Sequence, residues 1–240
     1  MIERKILNIH LHDLSNQELE KLFLSWLGGN EQKIIVTPNP EFLLLARRDK
    51  EFADILNRAD LSLPDGFGLK LVSHLRHRHT GVDTLEHLAK LPVTMCLLGS
   101  AKNAMAAAEI FKQKNPQIKI SIVDPNQVAS TGEVSETVLT EINKNSPNIL
   151  AVGLGQGKQE RFIVKNLARL PSVRLAIGVG GAFDMISGQL PRAPRFMRQM
   201  GLEWLWRLVI EPKRWRRIAR AVLIFPIVVI YDKIRGLKSV

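Results

Sequence analysis

The chain has 240 residues, of which 45% are hydrophobic and 24% are charged, so it is long and apolar enough to bury the core of one large domain. Its single cysteine, Cys96, excludes an internal disulfide and indicates a reducing compartment, where we expect it to be a small buried hydrophobe. The formal net charge is +11, no N-terminal signal peptide is visible, and the longest apolar run, Ala221 to Tyr231, is broken by Pro226 and too short to span a bilayer.

Short apolar segments alternate with helix-like segments along the first four-fifths of the chain. The predicted strands are 33–37, 61–63, 93–98, 118–123, 148–152 and 174–179, and the predicted helices are 38–50 after a turn, 101–114, 133–145 and 158–170. This alternation predicts an α/β fold in which a mainly parallel, Rossmann-like sheet carries helices on both faces.

The character of the sequence changes after Pro194. Residues 195–210 are predicted to form one helix, which Glu211-Pro212 ends, and the residues beyond are first basic and aromatic and then apolar. We therefore divide the chain into an α/β domain, residues 1–194, and a basic C-terminal appendage, residues 195–240.

Polar and glycine-rich segments follow the predicted strands, at the edge where a parallel sheet binds its ligands. These segments are Thr37-Pro38-Asn39, Pro64-Asp65-Gly66, Gly99-Ser100, Gly153-Leu154-Gly155 and Gly178 to Gly181. Backbone N–H groups of such glycine loops can approach a phosphate, and Lys158 would add a cation. The spacing is neither G-x-G-x-x-G nor a P-loop, so a tight turn without a ligand is an equal alternative.

Asp65 has two interpretations. As a carboxylate at a strand end it could serve as a general base on a hydroxyl, or it could cap a helix that starts near Phe67. The residues alone favour the cap. Thr37, Asn39, Glu41 and Asp83 carry the same ambiguity between a site and a helix cap, and Asn39 precedes Pro40 at a first helical position.

Four histidines, His74, His77, His79 and His87, raise the question of a metal site. Arginines interleave three of them and oppose a bound cation, and no carboxylate or cysteine accompanies them at ligand spacing. A solvated basic helix end is the favoured interpretation. The sequence also has no Asp-x-Asp, so we expect neither a metal nor another cofactor.

The appendage carries most of the excess positive charge. From Arg192 to Val240 there are twelve Lys and Arg against three acidic residues, a net charge of +9, and three of the four tryptophans lie there. Such a segment needs an anionic partner. Arg214, Arg216, Arg217 and Arg220 precede the apolar run, which favours an element lying on an anionic membrane over a solvated helix that closes the domain.

Two series of blocks resemble the WecG/TagA/CpsF glycosyltransferase family over most of the chain. The first series is Ile177-Gly178-Val179-Gly180-Gly181-Ala182-Phe183-Asp184, Gly188, Arg192-Ala193-Pro194, Gly201-Leu202-Glu203-Trp204-Leu205, Arg207-Leu208 and Glu211-Pro212. The second series is Thr37-Pro38-Asn39-Pro40-Glu41, Pro64-Asp65-Gly66, Arg78-His79-Thr80-Gly81-Val82-Asp83 and Lys158-Gln159-Glu160.

The resemblance implies an inverting transfer from a UDP-sugar, typically UDP-N-acetylmannosamine or its uronic acid, to a sugar on undecaprenyl diphosphate. It implies that Asp65 is the base, and that the appendage touches the membrane and helps complete the site. The protein would then be cytoplasmic and peripheral on the inner face of the cell membrane. The candidate substrate-binding residues are Thr37, Asn39, Arg78, Thr80, Asp83, Gly155, Lys158, Gln159, Gly180, Gly181, Arg192, Arg214 and Arg217.

Two other functions compete with this one. The basic appendage would suit a nucleic-acid-binding module, but the apolar run offers nothing to a phosphate backbone, so we expect no nucleic acid. A dinucleotide-dependent oxidoreductase is disfavoured by the missing G-x-G-x-x-G and its acidic partner. The sequence leaves monomer and homo-oligomer open.

Overall fold

In the computed structural model of the protein, which describes residues 2–73 and 75–238, the chain forms a two-stranded hairpin and a six-stranded sheet. The strands are β1 (Ile2–Ile6), β2 (Ile9–Asp13), β3 (Lys33–Val36), β4 (Leu61–Ser62), β5 (Thr94–Leu98), β6 (Lys119–Val123), β7 (Ile149–Val152) and β8 (Leu175–Gly178). The sheet has the order β4-β3-β8-β7-β5-β6, and every neighbouring pair is parallel. The predicted parallel sheet is therefore confirmed.

Helices connect the strands and form the C-terminal part of the chain. They are α1 (Asn16–Leu27), α2 (Pro40–Ala46), α3 (Lys50–Arg58), α4 (Phe67–Ser73), α5 (Gly81–Leu88), α6 (Ala101–Lys114), α7 (Glu136–Lys144), α8 (Lys158–Asn166), α9 (Ala182–Ile186), α10 (Arg195–Gln199), α11 (Glu203–Ile210), α12 (Trp215–Ala219) and α13 (Phe225–Lys238). Short 3-10 turns occupy Leu167–Arg169 and Pro212–Arg214, and a π-helical segment, Arg220–Ile224, joins α12 to α13.

Both faces of the sheet are covered, as the alternation of strands and helices predicts. Along β5, Met95 and Leu97 join the core cluster under α1, α5 and α6, whereas Cys96 and Leu98 join the cluster under α7 and α8. Successive strand residues thus point into opposite cores. Cys96 is fully buried, and burial raises the pKa of its thiol to about 12, which confirms it as a core residue.

The prediction of one helix over residues 195–210 is wrong, because the chain breaks between α10 and α11. Gly201 has φ +76 and lies directly against the ring of Phe67, which leaves no room for a side chain there. A residue with a Cβ would also resist that left-handed backbone. The break therefore docks the start of the appendage onto α4.

The apolar run in the appendage is only partly exposed. Phe225 and Val229 lie in the core cluster that contains Phe42 and Leu43, with 0% and 3% of their surface exposed. One face of α13 thus closes the domain. The length and apolar character that a membrane-crossing helix needs are not combined in any helix of the described residues.

Candidate active site

The ends of β3, β4 and β8 meet beneath the first turn of α5. Thr37 follows β3, and its hydroxyl donates to the Gly178 carbonyl at 3.4 Å. A Cβ on Gly81, the first residue of α5, would lie 3.3 Å from the Val179 oxygen and 3.5 Å from the Thr37 hydroxyl. A side chain on residue 81 would be tightly packed here, so the N-terminus of α5 lies directly against the strand ends.

Asp65 lies in a loop that hydrogen bonds hold on both sides. Its N–H donates to the Pro38 oxygen at 2.8 Å, and the His79 N–H donates to the Pro64 oxygen at 3.1 Å. The Gly81 N–H lies near the Asp65 carboxylate and lowers its pKa. Helix α4 does begin at Phe67, but this carboxylate contact is with α5.

The environment of Asp65 suits a proton acceptor at neutral pH. Burial raises the pKa of its carboxyl to about 7, and the charges of Glu203 and Asp83 add to that effect. Arg78 and the Gly81 N–H oppose the increase. A general base works best when its pKa lies near the operating pH, so the site favours the catalytic interpretation of Asp65.

Two ion pairs surround this carboxylate. Arg78 binds Glu203 of α11 at 2.6 Å, so the appendage reaches the edge of the site. Arg192 binds Asp83, and the Thr80 hydroxyl donates to Asp83 at 2.7 Å while accepting its N–H at 3.0 Å. Burial alone would raise the pKa of Asp83, but Arg192 and Thr80 hold it below its usual value.

Asn39 is confirmed as a helix cap. Its Oδ1 accepts the Glu41 and Phe42 N–H groups at 2.9 and 3.1 Å, with Pro40 at the first position of α2. Gly66, which has φ +98, packs on the Asn39-Pro40 turn. Asn39 therefore caps α2 and also packs against the loop that contains Asp65.

The two predicted glycine loops lie side by side. A Cβ on Gly153 would lie 3.1 Å from the Gly180 oxygen. Gly155 and Gly180 have φ of +85 and +54, and the space where their Cβ atoms would lie is open. The Gly155 and Gly181 N–H groups donate to no acceptor within the described residues, whereas the Gly180 N–H is engaged by Gln159 at 2.9 Å.

Lys158 opens α8 beside the first glycine loop, and its ammonium lies 3.4 Å from the Val128 oxygen. Gly157 precedes it with φ +84. The cation is therefore close to the loop, although in this conformation it contacts the neighbouring segment.

Arginines of the appendage gather at the other side of the rim. Arg217 makes a bidentate pair with Glu41 at 2.8 and 2.9 Å, and Arg214 binds Glu211 at 2.7 Å. Arg207 lies 3.2 Å from the same Glu211, and its buried Nη1 has no hydrogen-bond partner among the described residues. Burial and the charges of Arg214 and Arg217 lower the pKa of Arg207.

This cluster has more positive charge than its carboxylates can satisfy, which is the electrostatic setting for an anion. The sequence-based list of site residues omitted Arg207. Its position four residues before Glu211, within the block after Trp204, was the available signal.

The prediction of a solvated basic helix end is wrong for His77 and His79, whereas His87 does lie in the last turn of α5. His79 is 4% exposed and its Nε2 lies 2.8 Å from the Leu14 oxygen, while His77 contacts Asp13 at 2.8 Å. His74 lies outside the described residues. Among the described residues, no three His, Cys, Asp or Glu side chains are grouped as metal ligands.

We expect catalysis to continue without divalent ions, because arginines and backbone N–H groups can balance the charge of a leaving phosphate. The rate should change less than about threefold when EDTA is added to the assay. The measurement is the initial rate with EDTA, with and without added Mg²⁺ or Mn²⁺. Complete loss in EDTA, restored by either ion, would contradict this expectation.

A parallel α/β sheet with a half-buried carboxylate at its carboxyl edge, two glycine loops and an arginine cluster is typical of an enzyme that acts on an anionic substrate. The model of the Glycosyl transferase WecG/TagA/CpsF family matches residues 4–239. The chain therefore belongs to this family and is a glycosyltransferase.

Curated relatives agree with the family match. A Bacillus spizizenii protein is 34% identical over 81% of this chain and 77% of its own length. A Bacillus subtilis strain 168 protein is 32% identical over 83% and 79%, and a Staphylococcus aureus strain NCTC 8325 protein is 29% identical over 78% and 74%. Each of the three is named an N-acetylglucosaminyldiphosphoundecaprenol N-acetyl-beta-D-mannosaminyltransferase.

Proposed function

We propose that this glycosyltransferase moves an N-acetylmannosamine-type sugar from a UDP-sugar to a sugar on undecaprenyl diphosphate, during synthesis of a cell-surface polysaccharide or teichoic acid. The observation that carries the proposal is the half-buried carboxyl of Asp65 at the rim of the sheet, whose pKa is raised to about 7 by desolvation. The names of the relatives supply the sugar and the lipid carrier.

The reaction is a single displacement. Asp65 accepts the proton of the acceptor hydroxyl as that oxygen bonds to the anomeric carbon of the donor. The bond between the anomeric carbon and the UDP oxygen breaks, and UDP leaves with the electron pair, so the anomeric centre inverts. Base catalysis of this kind contributes about 10²–10⁴-fold.

The departing UDP needs positive charge and N–H donors. The Gly155 and Gly181 N–H groups, which have no acceptor among the described residues, and Lys158 are the proposed partners. Thr37, Asn39, Thr80 and the Asp83–Arg192 pair then surround the sugar and the acceptor hydroxyl near Asp65.

The arginines of the appendage are the proposed partners of the acceptor diphosphate. Arg207 has an unsatisfied buried nitrogen, and Arg214 and Arg217 are held beside it by Glu211 and Glu41. Guanidinium groups bind phosphate oxygens in a fixed, bidentate geometry. Residues 195–240 would thus complete a site whose base belongs to the catalytic domain, residues 1–194.

A membrane surface is the proposed location, on the cytoplasmic side. The outward face of α13 carries Ile227, Ile230 and Ile234, which are 67%, 56% and 49% exposed. With 100° per residue these three lie opposite Phe225 and Val229, the face that packs in the core. Apolar residues on the outside of a helix that follows an arginine-rich segment fit an anionic bilayer interface.

A donor panel tests the proposed function. Purified protein is mixed with UDP-N-acetylmannosamine, its uronic acid, UDP-N-acetylglucosamine or UDP-glucose and a short-chain lipid-diphosphate-N-acetylglucosamine acceptor, and UDP release is measured. We expect release with a mannosamine-type donor, at least tenfold faster with the acceptor present than without it. Absence of acceptor-dependent release with all four donors would refute the proposed substrates.

A further inference from the structure

Two adjacent buried polar side chains join the two glycine loops of the site. Glu160 accepts the Gly157 N–H on Oε2 at 2.7 Å and the Gln159 amide nitrogen on Oε1 at 2.7 Å. Gln159 in turn accepts the Gly180 N–H on Oε1 at 2.9 Å. A continuous chain of hydrogen bonds therefore runs from Gly157 to Gly180 through one carboxylate and one amide.

The pair also fits tightly against the end of β8. A Cβ on Gly178 would lie 2.6 Å from the Gln159 amide nitrogen and 2.8 Å from Glu160 Oε1. Glu160 and Gln159 are only 1% and 2% exposed. Because the packing is this tight, a shift of the glycine loop would also displace the two side chains.

Burial of a carboxylate in this space is unfavourable for its charged form. Burial raises the pKa of Glu160 to about 7, against the Gln159 and Gly157 hydrogen bonds, which lower it. The nearest cation, Arg161, is held by Asp49, Glu51 and the Gly157 oxygen. The two groups that face Glu160, the Gly157 N–H and the Gln159 amide nitrogen, are both donors. They are satisfied only by a side chain that accepts a hydrogen bond at both of its terminal atoms.

The β8 loop is in turn connected to the base. Its Gly178 oxygen accepts from the Thr37 hydroxyl, and its Val179 oxygen lies against Gly81, whose N–H lowers the pKa of the Asp65 carboxyl. A shift of the loop would thus move the surroundings of Asp65.

We propose that Glu160 is a positioning residue for glycosyl transfer, which acts through Gln159 to fix the Gly178–Gly181 loop relative to Asp65 and to the Gly155–Gly157 loop. The inference rests on the proposed function. It also gives Gln159 a different role from a direct substrate contact, because both ends of its amide are engaged inside the protein.

The direction of the hydrogen bonds provides the test. Glu160→Gln places two amide NH2 groups face to face, and Gln159→Glu places two carboxylates face to face. The double variant Gln159→Glu/Glu160→Gln restores every bond: the new carboxylate accepts from Gly180 and from the new amide, whose oxygen accepts from Gly157. Glu109→Gln, on the exposed side of α6, is the control for loss of one carboxylate.

We expect each single variant to lower kcat by about 10- to 100-fold with a donor KM within about threefold of wild type. The double variant should recover to within about threefold, and the control should match wild type. A role of Gln159 in direct substrate contact would leave the double variant as poor as the single ones. That result, failure of the double variant to fold, or full activity in Glu160→Gln overturns the proposal.

Hydrogen exchange separates this proposal from the proposed function. The amides of segments 155–158 and 178–182 should exchange at least about tenfold faster in both single variants and at the wild-type rate in the double variant. If the wild type transfers none of the tested sugars but exchange follows this pattern, the function is wrong and the coupling of the loops is right. If the wild type is active and exchange is unchanged in the single variants, the coupling is wrong.

Discussion

Asp65→Asn is expected to lower turnover by at least about 100-fold while donor binding stays within about threefold of wild type. The amide keeps the shape of the side chain and its contact with the Gly81 N–H through the oxygen, but it cannot accept the proton of the acceptor hydroxyl. The measurements are kcat for sugar transfer and the Kd of the donor by calorimetry. Asp54→Asn, on the exposed side of α3, is the matched control.

The same variant should be more stable than the wild type at pH 8. The pKa of Asp65 in the folded protein is about 7 against the ordinary 3.8, so its carboxyl contributes stability at acid pH that is lost as the pH rises through 7. Above that pH the desolvated charge of Asp65 destabilises the folded protein, and the amide removes this effect. Because the side chain keeps partial solvent exposure, we expect a gain of about 1–2 kcal/mol in unfolding free energy at pH 8, and none at pH 4.

Replacing the exposed apolar stripe of α13 is expected to release the protein from anionic vesicles. Ile227→Gln, Ile230→Gln and Ile234→Gln together remove three side chains whose burial in acyl chains is worth about 1.5–3 kcal/mol each. The apparent affinity for vesicles containing phosphatidylglycerol should fall at least about 100-fold. Glutamine keeps the helix propensity, and the substituted face is opposite Phe225 and Val229, so folding should be retained.

The matched control places glutamine at three exposed apolar positions elsewhere, Leu24, Met105 and Val164, which are 52%, 58% and 42% exposed. These changes should leave vesicle binding within about threefold of wild type. Point substitutions are more informative than deletion from Arg214, which would uncover the core around Phe225. Equal binding by the stripe variant and the wild type would make α13 a packing element alone.

High salt should weaken the binding of the protein to anionic vesicles. Arg216 and Arg220 are exposed, and each such cation near an acidic leaflet is worth about 1 kcal/mol. Charge reversal is better placed at these two than at Arg217, because Arg217 is bound to Glu41 and its reversal would also disturb the arginine cluster.

The sheet could be predicted from the sequence because each strand is a short apolar segment closed by glycine or proline. All six predicted strands are present within one or two residues of their predicted ends. The β1–β2 hairpin was not predicted, although His10 and His12 alternate with apolar residues along β2. Its turn is formed by Leu7 and Asn8, which take positive φ without a glycine.

The site was predictable only in part. The order of the strand ends places Thr37 and Asp65 on one rim, but Pro64-Asp65-Gly66 fits a turn as well as an active site. The active-site interpretation is distinguished from a turn by the Gly81 N–H and the charge of Glu203. These two residues lie 16 and 138 positions further along the chain than Asp65. No local pattern contains those contacts.

The appendage shows a second limit. Its apolar run has hydrophobic residues on two faces, so periodicity could not tell which face packs in the core. The structure buries Phe225 and Val229 and exposes Ile227 and Ile230. The orphaned Nη1 of Arg207 likewise follows from the packing of α11, which no local sequence pattern shows.

The proposed transfer reaction, with Asp65 as its base, is tested most directly by following a labelled sugar from donor to lipid. Wild type and Asp65→Asn are incubated with UDP-[14C]N-acetylmannosamine and lipid-diphosphate-N-acetylglucosamine, and the label extracted into organic solvent is counted over time. We expect acceptor-dependent transfer by the wild type and a rate at least about 100-fold lower in Asp65→Asn. Equal transfer by the two proteins, or none by a folded wild type, would contradict the proposed reaction.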